Sequence, residues 1–318
     1  MDKLIRLMAI LTAIAAFAVP AAALAKGNAP GGAQLQPVPD LPVNACHDSA
    51  LPRDFGTNFP TPSDPYGFGF ANQTAIGWEG NLYAPFEYLS GSYFARGVPT
   101  TYKRGNQSLC GAMYSFSAYT YGLAAGQAPA PGSVQWTMAD NYLPAMTTSF
   151  TRNQVSISIT DFANQQSIGG NPVELVYTRV SVTNHGSAAV SVPAGQSGPN
   201  LVSLNQSPDT VEPRQTVRHD FVAAVDTFST TVPLPSVSAL TPSRGNPGAL
   251  PYDSAYRHMT DFWHHRLSVI PRLSLPNVAL ANTDNLHDPG TSIDDAYKAA
   301  FVYTRIVQAG AAPFSGAN

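Results

Sequence analysis

The stretch VELVYTRVSVTNHGSAAVSVP, residues 173–193, decides the fold class. Val176, Thr178, Val180 and Val182 occupy alternate positions, the two-residue period of a strand with one buried face. Asn184, His185 and Gly186 follow, and Asn and Gly tolerate the positive φ of a tight turn, so residues 188–192 are expected to return as the second strand of a hairpin. Upstream, Val155, Ile157 and Ile159 alternate with Ser156, Ser158 and Thr160, and Tyr114, Phe116 and Ala118 alternate with Ser115, Ser117 and Tyr119. Downstream, Val217, His219, Phe221, Ala223 and Val225 share one face of another strand. These patterns predict a mainly β protein, a large two-sheet antiparallel sandwich over residues 66–245 with its outer faces left to solvent. The region is about twice as long as an immunoglobulin-type domain and carries no internal repeat of the propeller kind.

Composition agrees with that class. Of 318 residues, 44% are hydrophobic, enough for a real core, and 28 Pro and 25 Gly spread without a period suit strands joined by turns. With 17 basic against 20 acidic residues there is no cationic surface for nucleic acid.

After Pro251 the period becomes helical. Tyr252, Tyr256, Met259, Trp263 and Leu267 form one stripe of a linker helix within residues 246–291. Residues 292–318 are expected to begin a second helix, with Ser292 as N-cap, Asp294 and Asp295 at the positive end of its dipole, and Gly310 closing it. Its predicted apolar stripe is Ile293, Tyr297, Ala300, Phe301 and Thr304.

Residues 1–25 read as a secretory signal: Lys3 and Arg6 precede an apolar run, and Ala23-Leu24-Ala25 supplies a small-x-small cleavage site. The run is too short to span a bilayer, so a secreted, periplasmic or extracellular product without a membrane span is expected. Residues 26–65 are expected to form an extended Pro/Gly-rich arm. Cys46 and Cys110 are the only cysteines, and an oxidising destination is expected to pair them in one disulfide, with two free thiols as the alternative.

The order of these parts resembles the N-terminal half of the six-hairpin glycosidases, in which a β-supersandwich precedes an (α/α)₆ toroid. The similarity is carried by Phe262-Trp263-His264-His265-Arg266-Leu267, then Ile270-Pro271 and Leu275-Pro276, then Asp295-Ala296-Tyr297-Lys298-Ala299-Ala300, with the paired-strand element ITDFANQQSIGGNPVELVYTRVSVTNHGSAAVSV at 159–192 before them. The resemblance implies carbohydrate as the partner and a helical catalytic domain in cis that the sandwich supports. In that family the acid and base lie on toroid loops, and a toroid needs roughly 350 further residues. No catalytic residue is therefore assigned within this chain.

The residues themselves offer few chemical candidates. Glycoside hydrolysis needs two carboxylates about the bond, and Glu79, Glu87, Asp161, Glu174 and Glu212 are present without a spacing that pairs them; each reads as a solvated strand or turn charge. His258, His264 and His265 cannot converge on one point of a helix, and Asp284, Asp288, Asp294 and Asp295 do not follow a calcium-loop spacing, so no metal or other cofactor is expected. Trp78, Tyr83, Trp136 and Tyr142 are the aromatics a loop might hold against a sugar ring, with core packing as the alternative. A stand-alone exported carbohydrate-binding or cell-surface module without catalysis is the second functional expectation.

Overall fold

The computed structural model describes residues 73–81, 84–88, 91–98, 100–104, 107–116, 134–192, 196–229, 231–271 and 293–307, all within the unit Pro39–Asn318. The signal segment, the arm, Cys46, Tyr83 and the loop 272–291 lie outside the described residues, and so does the expected Cys46–Cys110 pairing.

The protein is mainly β, with antiparallel sheets followed by helices. A four-stranded sheet joins β1 (Gln73–Ala75), β2 (Phe86–Tyr88), β3 (Tyr93–Ala95) and β6 (Ala112–Tyr114). Between them, β4 (Thr101–Arg104) and β5 (Gln107–Cys110) pair as a separate ribbon. The larger sheet runs in the order β12, β14, β10, β9, β8, β7. Its strands are β7 (Gln135–Ala139), β8 (Leu143–Arg152), β9 (Val155–Ile168), β10 (Asn171–Asn184), β12 (Val202–Ser203) and β14 (Thr216–Asp226).

Four of those strands form a meander through three tight turns whose central residues lie at positive φ: Asp140-Asn141, Asn153-Gln154 and Gly169-Gly170. Paired positive-φ residues match the right-handed twist of the strands they join, and Asn, Asp and Gly adopt that conformation most cheaply. The hairpin expected after Val182 is not formed. β10 instead pairs along its length with β9 and β14, while Val190–Ser191 (β11) pairs with Thr210–Val211 (β13). The Asn184 side chain explains the departure of the chain, because its amide donates to Ala188 O and Val211 O and its oxygen accepts from Gly186 N. An Asn that satisfies three backbone groups directs the chain out of the ladder.

The larger sheet is buried on both faces. On one, Met146, Phe150, Val155, Ile157, Ile159, Val176, Val180, Val182 and Phe221 pack with Tyr93, Ala95 and Tyr114 of the smaller sheet and with Phe116 just beyond β6. The sheets meet closely: a Cβ on Gly91, in the β2–β3 turn at φ 71°, would lie 2.8 Å from the Ile159 Cβ. On the opposite face, Leu143, Ala145, Phe162, Leu175, Tyr177 and Val222 pack under helices. A solvated outer face was expected there. Helices cover much of it because Phe162 and Tyr177 present apolar rings on that side, stacked 5.3 Å apart.

The helices are α1 (Val237–Leu240), α2 (Tyr252–Ser268) and α3 (Ile293–Ile306). Ser236 caps α1 by accepting from Ala239 N. Of the predicted stripe of α2, Tyr252, Met259 and Trp263 are buried together with Ala255, while Tyr256 and Leu267 are half-buried; the start of the helix is fixed by Arg179, which grips Asp220 and Asp253 and lies 3.9 Å from the centre of the Tyr252 ring. In α3 the buried positions are Val302 and Ile306 and not the predicted stripe; Tyr297 and Phe301 are half-buried, and Ala300 and Thr304 are exposed.

A loop at residues 77–81 locks these layers together. Trp78 is 3% exposed, stacks on Phe262 at 4.1 Å and tilts against Trp263. Glu79 pairs with Arg266 of α2 at 2.5 Å and with Arg305 of α3, and Gly80 N donates to Arg305 O. Trp78→Ala removes a buried indole at this junction, and we expect a loss of about 3–5 kcal/mol in unfolding free energy by chemical denaturation, the range for large aromatic truncations in cores.

Candidate functional site

An open cleft lies where the β7–β8 turn meets the end of α2 and the start of α3. It measures about 400 Å³ and is lined by Tyr142, His264, Leu267, Asp294, Tyr297 and Lys298 among others. The turn builds one wall: Asp140 and Asn141 at φ 51° and 64° reverse the chain, so that Asp140 and Tyr142 both reach α2. His264 Nε2 stands 2.9 Å from Asp140 Oδ2, and the two side chains are about half exposed. On the other wall Lys298 Nζ lies 2.6 Å from Asp294 and 4.7 Å from the centre of the Tyr142 ring. That ion pair holds the Lys298 ammonium above its ordinary pKa, and burial raises that of the Tyr142 phenol. Two aromatic rings, a carboxylate, an imidazole and an ammonium around one opening supply stacking faces with hydrogen-bond donors and acceptors. Such a set suits a polyhydroxylated ligand.

Of the aromatics singled out from sequence, Tyr142 alone among the described residues lines this cleft. Trp78 is core, and Trp136 stands half-buried on β7 with its indole N–H 3.5 Å from Glu87 Oε1. The histidines of α2 diverge, as helical spacing requires: His258 meets Asn164 at 2.9 Å, His264 meets Asp140, and His265 is exposed. The role of His264 and Lys298 was not read from sequence. The Asp140-Asn141 pair was the available signal, since two adjacent residues of that kind mark a mirror-image turn that projects its neighbours.

The carboxylates expected as solvated charges are mostly not solvated. Glu87, Asp161 and Glu174 are fully buried, Glu79 is held between two arginines, and Glu212 alone is exposed. Glu174 lies beside a register shift between β10 and β14, where its carboxyl accepts from Trp78 N at 2.6 Å and from the Asn81 amide. Burial, then the nearby Asp226, push its pKa up to about 8 despite those two donors. Glu87, Asp161 and Glu174 are therefore closed to a substrate.

No family model, no curated protein and no solved structure matches the chain.

Glu174 gives the fold a pH signature. Its folded pKa lies above its ordinary value of 4.5, so the folded protein holds a proton that the unfolded chain releases. Stability from this group is complete below about pH 4.5 and is lost as pH rises through about 8. We expect Glu174→Gln to flatten the decline in unfolding free energy between pH 5 and 9, measured by chemical denaturation, by on the order of a few kcal/mol.

Proposed function

We propose that the chain is the sandwich and linker portion of an exported, glycosidase-like protein of carbohydrate metabolism, and that its helical end supports a helical catalytic domain. The observation that carries this reading is the two-sided character of α3. Val302, Tyr303 and Ile306 fasten it to the sandwich, and Ile293, Tyr297 and Phe301 leave a second apolar row half-exposed. A helix lying on a surface needs one apolar stripe, whereas apolar residues on two sides suit a helix placed between layers. The chemistry of hydrolysis then belongs to the catalytic domain, and the sandwich supplies position and support.

The cleft favours a second reading, a stand-alone exported carbohydrate-binding or cell-surface module. Tyr142 and Tyr297 offer ring faces there, and Asp294 and Lys298 offer polar contacts.

A mixing experiment separates the two. Residues 26–318 are combined with a separately expressed six-hairpin toroid domain, and association is followed by analytical ultracentrifugation. The supporting role predicts a complex that Tyr297→Asp with Phe301→Asp abolishes, with little change in the thermal midpoint of the sandwich itself, and no hydrolysis by residues 26–318 alone. A glycan array on the same protein tests the module: binding lost in Tyr142→Ala, without toroid association, replaces the first reading by the second.

A further inference from the structure

The layer between the two sheets contains a polar row whose edge residue, Thr74, donates to Tyr303 of α3 at 2.8 Å. On the smaller sheet, Thr74, Glu87, Tyr93 and Tyr114 stand in register across β1, β2, β3 and β6. On the larger sheet, Met146, Asp161, Thr178 and Phe221 stand in register across β8, β9, β10 and β14. Two contacts align the rows: Trp136 of β7 donates to Glu87 at 3.5 Å, and the Phe116 and Phe221 rings lie 5.4 Å apart.

Each buried carboxyl in this row uses one oxygen and leaves one unmet. Glu87 Oε1 accepts from Trp136 and Asp161 Oδ1 accepts from the Thr178 hydroxyl, while Glu87 Oε2 and Asp161 Oδ2 have no hydrogen-bond partner. The hydroxyls of Tyr93 and Tyr114, whose rings stack at 4.6 Å, have none either, and all four residues are fully buried. Among the described residues, neither carboxyl is ion-paired to a basic side chain. Leaving one buried polar group unpaired costs about 1–3 kcal/mol and more when it is charged, so four unmet oxygens in one layer need a common partner.

We propose that Glu87 and Asp161, with the Tyr93 and Tyr114 hydroxyls, form an internal site for a hard divalent cation of the calcium class, which ties the two sheets together. The donors are all oxygens, the set that selects calcium or magnesium over zinc or copper, and two carboxylates balance one dication. Calcium tolerates irregular geometry and dehydrates more readily than magnesium, which suits donors fixed on two facing sheets. Burial first, and for Glu87 the neighbouring Asp161, raise both carboxyls well above their ordinary range. A cation that draws these carboxylate oxygens must displace any proton they carry.

The test uses residues 26–318 stripped with EDTA and refolded with or without metal. Calcium is expected to raise the thermal midpoint in proportion to the logarithm of its concentration, more strongly at pH 8 than at pH 5, and more than magnesium does. Terbium refolded into the site is expected to emit on excitation of Trp136, Tyr93 and Tyr114, and calcium to displace it. Glu87→Gln and Asp161→Asn should each remove both effects. Should either variant fail to fold, Tyr93→Phe and Tyr114→Phe delete only a hydroxyl and are expected to weaken calcium binding roughly tenfold, equivalent to about 1.4 kcal/mol. A wild-type midpoint indifferent to calcium overturns the site in favour of a protonated carboxyl pair. Calcium and terbium effects that persist unchanged in the variants overturn it in favour of a surface acidic cluster.

Discussion

Glu174 stands where three parts of the protein must agree. It belongs to β10, a central strand of the larger sheet, yet it accepts hydrogen bonds from the backbone of Trp78 and the side chain of Asn81 in the loop 77–81. The same loop stacks Trp78 on Phe262 of α2 and pairs Glu79 with Arg266 and Arg305. A carboxyl taken out of water destabilises a fold unless its oxygens are met, so the loop cannot leave without exposing the cost of that burial. Sheet, loop and both long helices are coupled through Glu174, Trp78, Glu79, Asn81, Phe262, Arg266 and Arg305.

Burial of the larger sheet on both faces sets the polar problems that the protein has to solve. Asn164 on β9 meets the helix beneath it by donating to Ala255 O at 2.6 Å while its oxygen engages His258. Arg179 is neutralised by Asp220 and Asp253 where the sheet emerges beside α2. Farther along that face, Thr147 meets Thr160, Thr151 meets Ser156 and Thr183 meets Thr216 at 2.8–2.9 Å, a hydroxylated surface beyond the helices. In the inter-sheet row, Glu87 and Asp161 each keep an oxygen that the protein leaves unmet, beside the unmet hydroxyls of Tyr93 and Tyr114. Unmet oxygens gathered in one buried layer are a structural reason to look for a ligand.

The cleft and the outer row of α3 arise from the same packing choice. Once Val302 and Ile306 turn toward the sheet, helical geometry places Tyr297 and Lys298 beside the β7–β8 turn and leaves Phe301 half-buried. A rotation of about 180°, at roughly 100° per residue, separates this arrangement from the stripe that sequence periodicity suggested for α3. Both candidate roles of the helical end, receiving another layer and holding a polyhydroxylated ligand, follow from that rotation.

By itself the sequence determined the strands and the long α2 helix, because alternation at Val155–Ile159 and Val176–Val182 and the three-to-four spacing of Tyr252, Met259 and Trp263 are local periodicities that burial of one face enforces. It also held the mirror turns, in Gly169-Gly170 and Asp140-Asn141, where few residues accept positive φ. Tertiary structure decided what those elements met. The partner of β11, the second buried face of the sheet, the side of α3 that docks and the enclosure of Glu87, Asp161 and Glu174 all depend on residues distant in the chain. A carboxylate in a strand reads the same in sequence whether it faces water or another sheet. Only the opposing layer, placed by contacts such as Gly91 against Ile159 and Trp78 against Phe262, fixes which it is.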